Sequence, residues 1–169
     1  AGRSLHDLDL AFDGAITHYV TEIASRLPKA AVERTDRFGT ASVTLDGARM
    51  DLAHLRTERY AFPGALPEVQ ATRQLKLDLA RRDFTVNAVA LGLVGQDADE
   101  VIDPFDGTGD LKNRTLRVLH ERSFVDDATR LWRGARTAAL FRLEPDATTA
   151  RLIEEGARWT EDISGERLW

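Results

Sequence analysis

The hydrophobic pattern of this chain changes period along its length, and that change limits what it can fold into. Residues 5–12, LHDLDLAF, alternate apolar and polar as a β-strand does, whereas GAITHYVTEIASRL (14–27) spaces Ile16, Val20, Ile23 and Leu27 as one face of a helix. KAAVERTDRFGTASVTLDGARMDLAHL then reads as two or three short strands with turns at Phe38-Gly39 and Asp46-Gly47. Residues 57–74, TERYAFPGALPEVQATRQ, form a long connection punctuated by Pro63, Gly64 and Pro67, of a length that inside a compact domain is usually functional or disordered. Helix is predicted from there to about residue 92 and a strand and turn over VIDPFDGTGDLKNRTLRVL, and from about residue 124 onward all is helical. The pattern is that of an α/β region followed by an all-α one.

Composition narrows the function. With 169 residues, 43% apolar and 30% charged, the chain has material for one large globular domain or a domain and a half. No stretch approaches the ~20 apolar residues of a membrane span, and no signal peptide opens it. Cysteine is absent, which excludes disulfide and thiolate chemistry and fits a reducing cytoplasm. A net charge of −5 supplies no global basic field, so any polyanion must be met by a local patch. The chain opens without methionine and stops at ISGERLW within a helical pattern, so it reads as a piece of a larger protein. His6, His18, His54 and His120 lack metal-ligand spacing, Gly107-Thr108-Gly109 has no dinucleotide fingerprint around it, and no serine sits in a nucleophile elbow.

Carboxylates carry the remaining chemistry. On a strand, Asp7 and Asp9 point to one face roughly 7 Å apart, with Leu8 and Leu10 on the other. Two like charges so placed repel unless a cation lies between them, and oxygen ligands suit Mg²⁺ better than zinc. A merely polar sheet face gives the same pattern. Asp51 interrupts a second strand-like run between Met50 and Leu52 and supplies a third carboxylate if the two strands are neighbours; three such groups make a two-metal site, and the alternative is an ordinary edge-strand acid. In FVDDATRLWRGARTAALF, Asp126 and Asp127 stand at a helix start, where capping is their default role. Arg130, Arg133 and Arg136 follow at intervals of three, leaving Leu131, Ala135 and Ala138 for packing. Such a ladder is either a solvated face with a weak Asp127–Arg130 ion pair or a strip suited to a base edge and phosphates.

Taken in order, DLDLAF, FGTASV, MDLAHLRTERYAFPGALPEV, LARRDFTVNAVAL, IDPFDGTGDL and FVDDATRLWRGAR resemble the bacterial class II CCA-adding enzymes and the closely related poly(A) polymerases. RRDFTVNA and DDATRLWRGAR are the specific parts, and the likeness covers nearly the whole chain. It implies a nucleotidyltransferase (DNA polymerase beta-like) head over residues 1–113, a mixed sheet with flanking helices, and the start of an all-α neck over 114–169. It further implies that Asp7 and Asp9 hold Mg²⁺ with Asp51 as the third catalytic acid. Arg82, Asp83 and Asn87 would shape the ribose and phosphate side of the nucleotide pocket. Asp127 and Arg130 would read the base, and Arg133 and Arg136 would extend toward the triphosphate. Phe84, Val86 and Val89 of the predicted FTVNAVAL helix would anchor the charges of RRD in the core.

The implied activity is addition of CMP and/or AMP to a tRNA 3′ end from CTP and/or ATP. Poly(A) synthesis, or a non-catalytic RNA- or nucleotide-binding module on the same fold, are the alternatives. The chain departs from the family in three places. The G-G-x-V-R-D stretch before the D-x-D strand is reduced to Gly2-Arg3, Asp126-Asp127 replaces Glu-Asp, and Arg136-Thr137 replaces Arg-Phe.

Overall fold

The structure, a computed structural model, describes residues 7–14, 16–35 and 39–160. The Gly2-Arg3 lead-in, His6 and ISGERLW therefore lie outside the described residues. Two compact units divide the chain, one drawn from residues up to 57 and from 69–78, the other from residues 58–68 and from 79 onward.

In the first unit, alternation and turn chemistry build a four-stranded mixed sheet. Its strands are β1 (Asp7–Phe12), β2 (Ala31–Thr35), β3 (Thr40–Leu45) and β4 (Ala48–His54), in the order β1-β4-β3-β2. β1 runs parallel to β4, and the other pairings are antiparallel. Asp46 and Gly47, both at positive φ, make the two-residue turn that joins β3 to β4 and matches the strand twist. Helix α1 (Ile16–Arg26) lays Ile16 and Val20 on Ala41, Val43 and Leu52, forming one buried core. The face of the sheet carrying Val43 and Leu52 is thus covered, and the alternate residues Ser42 and Asp51 project from the opposite face.

Residues 57–74 are not one long loop. β5 (Arg56–Arg59) and β6 (Glu68–Ala71) pair as a two-stranded ribbon, and the prolines and Gly64 only shape its connection. Backbone pairing at both ends accounts for the difference, because the punctuating residues all fall within 63–67.

The predicted helix to residue 92 is also corrected. Helix α2 (Leu75–Ala80) stops before Arg81. Beyond it the Asp83 carboxylate accepts the Phe84 amide (2.9 Å) and the Asn87 side-chain amide (3.0 Å), Phe84 bridges to Val118, and Thr85–Asn87 form a single 3-10 turn. β7 (Ala90–Leu91) then pairs with β8 (Val101–Ile102). Asp83 competes for the backbone donors a helix would need, and the branched Thr85, Val86 and Val89 lose side-chain freedom in a helix.

Conversely, α3 (Gly107–Lys112) stands where a strand and turn were expected. Asp103 accepts the amides of Gly107 (2.7 Å) and Thr108 (2.8 Å), satisfying the helix's first donors. A Cβ at Gly107 would lie 2.1 Å from the Thr85 carbonyl oxygen, a backbone atom that can move only with the 3-10 turn. Gly107→Ala is therefore expected to cost about 3 kcal/mol, read as a lowered urea midpoint.

The chain continues through β9 (Thr115–Leu116), α4 (Ser123–Asp126), α5 (Thr129–Phe141), β10 (Glu144–Pro145) and α6 (Ala147–Gly156), ending in a 3-10 turn at Ala157–Thr160. The region beyond residue 124 is helical as expected apart from β10, which pairs in parallel with β9. Phe84, Leu116, Val118, Phe124, Leu143 and Leu152 form the second unit's core. Leu131 and Ala138 of α5 pack on it, but Ala135 is exposed. Its expected place is taken by buried Gly134, where a Cβ would meet the Phe84 ring at 2.7 Å.

Candidate functional site: a carboxylate sheet face and a buried arginine cluster

In the first unit, β1 and β4 are paired so that Asp9 stands beside Asp51 and Asp7 beside Arg49. The strand of Asp51 does lie beside the first, which is the condition for a third carboxylate there. Asp9 is exposed on this face, while the Asp7 side chain lies outside the described residues. Ser42, paired with Asp51 across β3, donates a hydrogen bond to its carboxylate. Arg49 Nε reaches both Asp51 oxygens at 2.9 and 3.2 Å and Arg49 Nη2 donates to Ser42 Oγ at 3.1 Å. The Ser42 hydrogen bond, ahead of Arg49, holds the Asp51 carboxyl below the usual carboxylate range, so it remains an anion. The donor set is all oxygen and matches a hard cation, with Arg49 now supplying the positive charge at Asp51. Among the described residues no three His, Asp or Glu side chains gather into a metal-holding group.

The second unit holds the RRD residues. Asp83 is 3% exposed and, beside its bonds to Phe84 and Asn87, receives Arg133 Nε at 2.7 Å. Burial alone would raise its pKa, but Arg133, Asn87 and the Phe84 amide outweigh burial and hold it below the ordinary range. Arg82 Nη1 donates to the Asn87 carbonyl at 3.2 Å. Arg82, Asp83, Asn87 and Arg133 are thus drawn together, while Arg136 is an exposed residue of α5.

Asp127, immediately before the α5 N-cap Ala128, accepts both the amide (3.1 Å) and the hydroxyl (2.7 Å) of Thr129 at the helix start. Asp126 instead pairs with Arg122 at 3.0 Å. Arg130 is not on a solvated face. It is 5% exposed, and its guanidinium donates to Ser123 Oγ (3.0 Å) and the Arg81 carbonyl (2.7 Å) and meets His120 Nε2 at 3.2 Å. Arg81 itself is ion-paired with half-buried Glu58 at 2.9 Å, and Tyr60 donates to the same carboxylate at 3.0 Å. Burial, then Glu58, pushes the Tyr60 hydroxyl up to about 12, so it stays a donor. Sequence reasoning missed Glu58, Tyr60, Ser123 and His120, which meet their partners across 2 to 23 positions with no periodic signal.

The "Poly A polymerase head domain" family matches residues 1–117. The chain belongs to this family, that of the bacterial CCA- and A-adding tRNA nucleotidyltransferases. It is 39% identical over 147 residues to the A-adding tRNA nucleotidyltransferase of Halalkalibacterium halodurans, covering 86% of this chain and 34% of that protein. It is 41% identical over 133 residues to the CC-adding tRNA nucleotidyltransferase of Deinococcus radiodurans, covering 78% of this chain and 35% of that one. A solved tRNA nucleotidyltransferase complexed with a primer tRNA and an incoming ATP analog superposes with a TM-score of 0.82 at 30% identity, over 99% of this chain and 46% of that one. The chain therefore spans about a third to a half of these relatives. Among the described residues no helix is long and apolar enough to cross a membrane.

Proposed function

We propose that this chain is the head and the start of the neck, divided near residue 113, of a cytoplasmic, template-independent nucleotidyltransferase that adds CMP and/or AMP to a tRNA 3′ end. The observation that carries this reading is the pairing of Asp9 with Asp51 on the sheet face opposite Val43 and Leu52, within a stretch that matches the family throughout. Asp7 and Asp9, with Asp51, would hold Mg²⁺ there. The chemistry Mg²⁺ supplies when bound is Lewis acidity toward the attacking 3′-hydroxyl and the departing pyrophosphate.

The other residues bind and orient. Asp83, kept anionic and fixed by Asn87 and the Phe84 amide, sets the position of Arg133, and with Arg82 these residues serve the ribose and phosphates. Arg136, one helical turn further along α5, adds positive charge toward the triphosphate. Asp127 accepts and Arg130 donates, so together they read the hydrogen-bonding edge of the base. Relatives that add A and relatives that add CC both draw on nucleotides sharing one edge polarity, which supports that role.

The test is incubation of the full-length protein and Mg²⁺ with tRNA lacking its 3′ end, or ending in CC, and each nucleoside triphosphate in turn. Extension of one or both tRNAs by C or A is expected. Absence of extension by any nucleotide, with RNA binding retained, would replace the enzyme with a binding module.

A further inference from the structure

We propose that His120 is a positioning residue for nucleotide selection, its neutral imidazole accepting a hydrogen bond from Arg130 and so holding the guanidinium that reads the base. The inference rests on the base-reading role given to Arg130 above.

An arginine can only donate, so the 3.2 Å approach of Arg130 Nη1 to His120 Nε2 is attractive only when Nε2 carries no proton and Nδ1 does. Ser123 Oγ and the Arg81 carbonyl fix the same guanidinium. Arg130 is 5% and Ser123 0% exposed, whereas His120 is half-buried, so the imidazole is the member of this cluster that solvent and its protons can reach. Protonated His120 would set a second cation against Arg130.

The charges facing His120 are Arg130 from α5, Asp126 from α4 and Arg122 from the N-cap of α4. Glu121, Arg117 and Asp146 line, with His120, a cavity of about 230 Å³ beside it. Burial, then Arg130, holds its pKa below the ordinary 6.5. The folded protein thus binds fewer protons than the unfolded one. The stability this gives is full above about 6.5 and is lost as pH falls from there through the lowered value. Arg130 would lose its restraint in the same acid range.

Three readouts on the full-length protein test this. Imidazole ¹⁵N spectra at pH 7 are expected to show His120 neutral with its proton on Nδ1, and Arg130→Ala should move its pKa back up. KM for CTP or ATP in the wild type should rise about ten-fold as pH falls through the His120 titration, with kcat changing less. His120→Leu should show the raised KM at every pH. His120→Gln, whose amide oxygen can accept from Arg130, should restore KM and flatten its pH profile.

Thermal midpoints check folding, and the wild-type spectra stand if the Leu variant fails to fold. A charged imidazole at pH 7, a proton on Nε2, or an unchanged KM in folded His120→Leu overturns the inference. Were Arg130→Ala to lose the choice among nucleotides while His120→Leu kept both KM and choice, the inference alone would fall. Were Arg130→Ala to keep that choice, base reading by Arg130 would fall, and the inference with it.

Discussion

Replacing Asp7 and Asp9 together with Asn is expected to lower nucleotide transfer by the full-length protein by a thousand-fold or more, on the order seen when a preorganised electrostatic group is removed. Asp9 is paired with Asp51, so the double variant removes the negative charge that Asp9 brings to this sheet face. The core should not notice, because that face lies opposite Val43 and Leu52. Thermal stability without Mg²⁺ should be unchanged or slightly higher, since like charges two residues apart on a strand repel. Incorporation assays and thermal unfolding read the two effects, and transfer retained by the folded double variant would end the metal assignment.

The second large effect concerns the base. Cytosine and adenine each present an amino donor beside a ring-nitrogen acceptor, whereas uracil and guanine present a carbonyl beside a ring N–H. Asp127 only accepts and Arg130 only donates, so the pair suits C and A and opposes U and G. Each mispaired buried group costs about 1–3 kcal/mol, and two give roughly two to four decades of discrimination. Single-nucleotide incorporation should therefore show CTP, ATP or both used and UTP and GTP rejected. Asp127→Ala should erode that preference more than Asp126→Ala, because the base-reading role is assigned to Asp127 with Arg130, while Asp126, paired with Arg122, is assigned to positioning. Efficient UTP use by the wild type, or intact selectivity in Asp127→Ala, would remove the base-reading role from this pair.

Much of the first unit was legible because its signals are local. Alternation in DLDLAF and TASVTL, the helical spacing of Ile16, Val20 and Ile23, and the Asp46-Gly47 turn each act over a few residues. The turn even carries a contact that was overlooked. Once Leu45 is paired with Ala48 across it, Ser42 must face Asp51, and Arg49 shares the face of Asp51 by strand period. Asp103, four positions before Gly107, was likewise a readable helix start.

What the sequence by itself determined is therefore the local geometry of strands, turns and caps, and the presence of acids and arginines of the right kind. Tertiary structure decided which of them meet. The apolar run of FTVNAVAL reads as a continuation of α2, but the bridge from Phe84 to Val118 and the bonds to Asp83 divert the backbone. Asp83 found Arg133 across 50 residues, and Arg130 turned inward to the Arg81 carbonyl across 49. No periodic pattern encodes such pairings. A buried charge must find a partner or neutralise, and only the packed core settles which partner lies within reach.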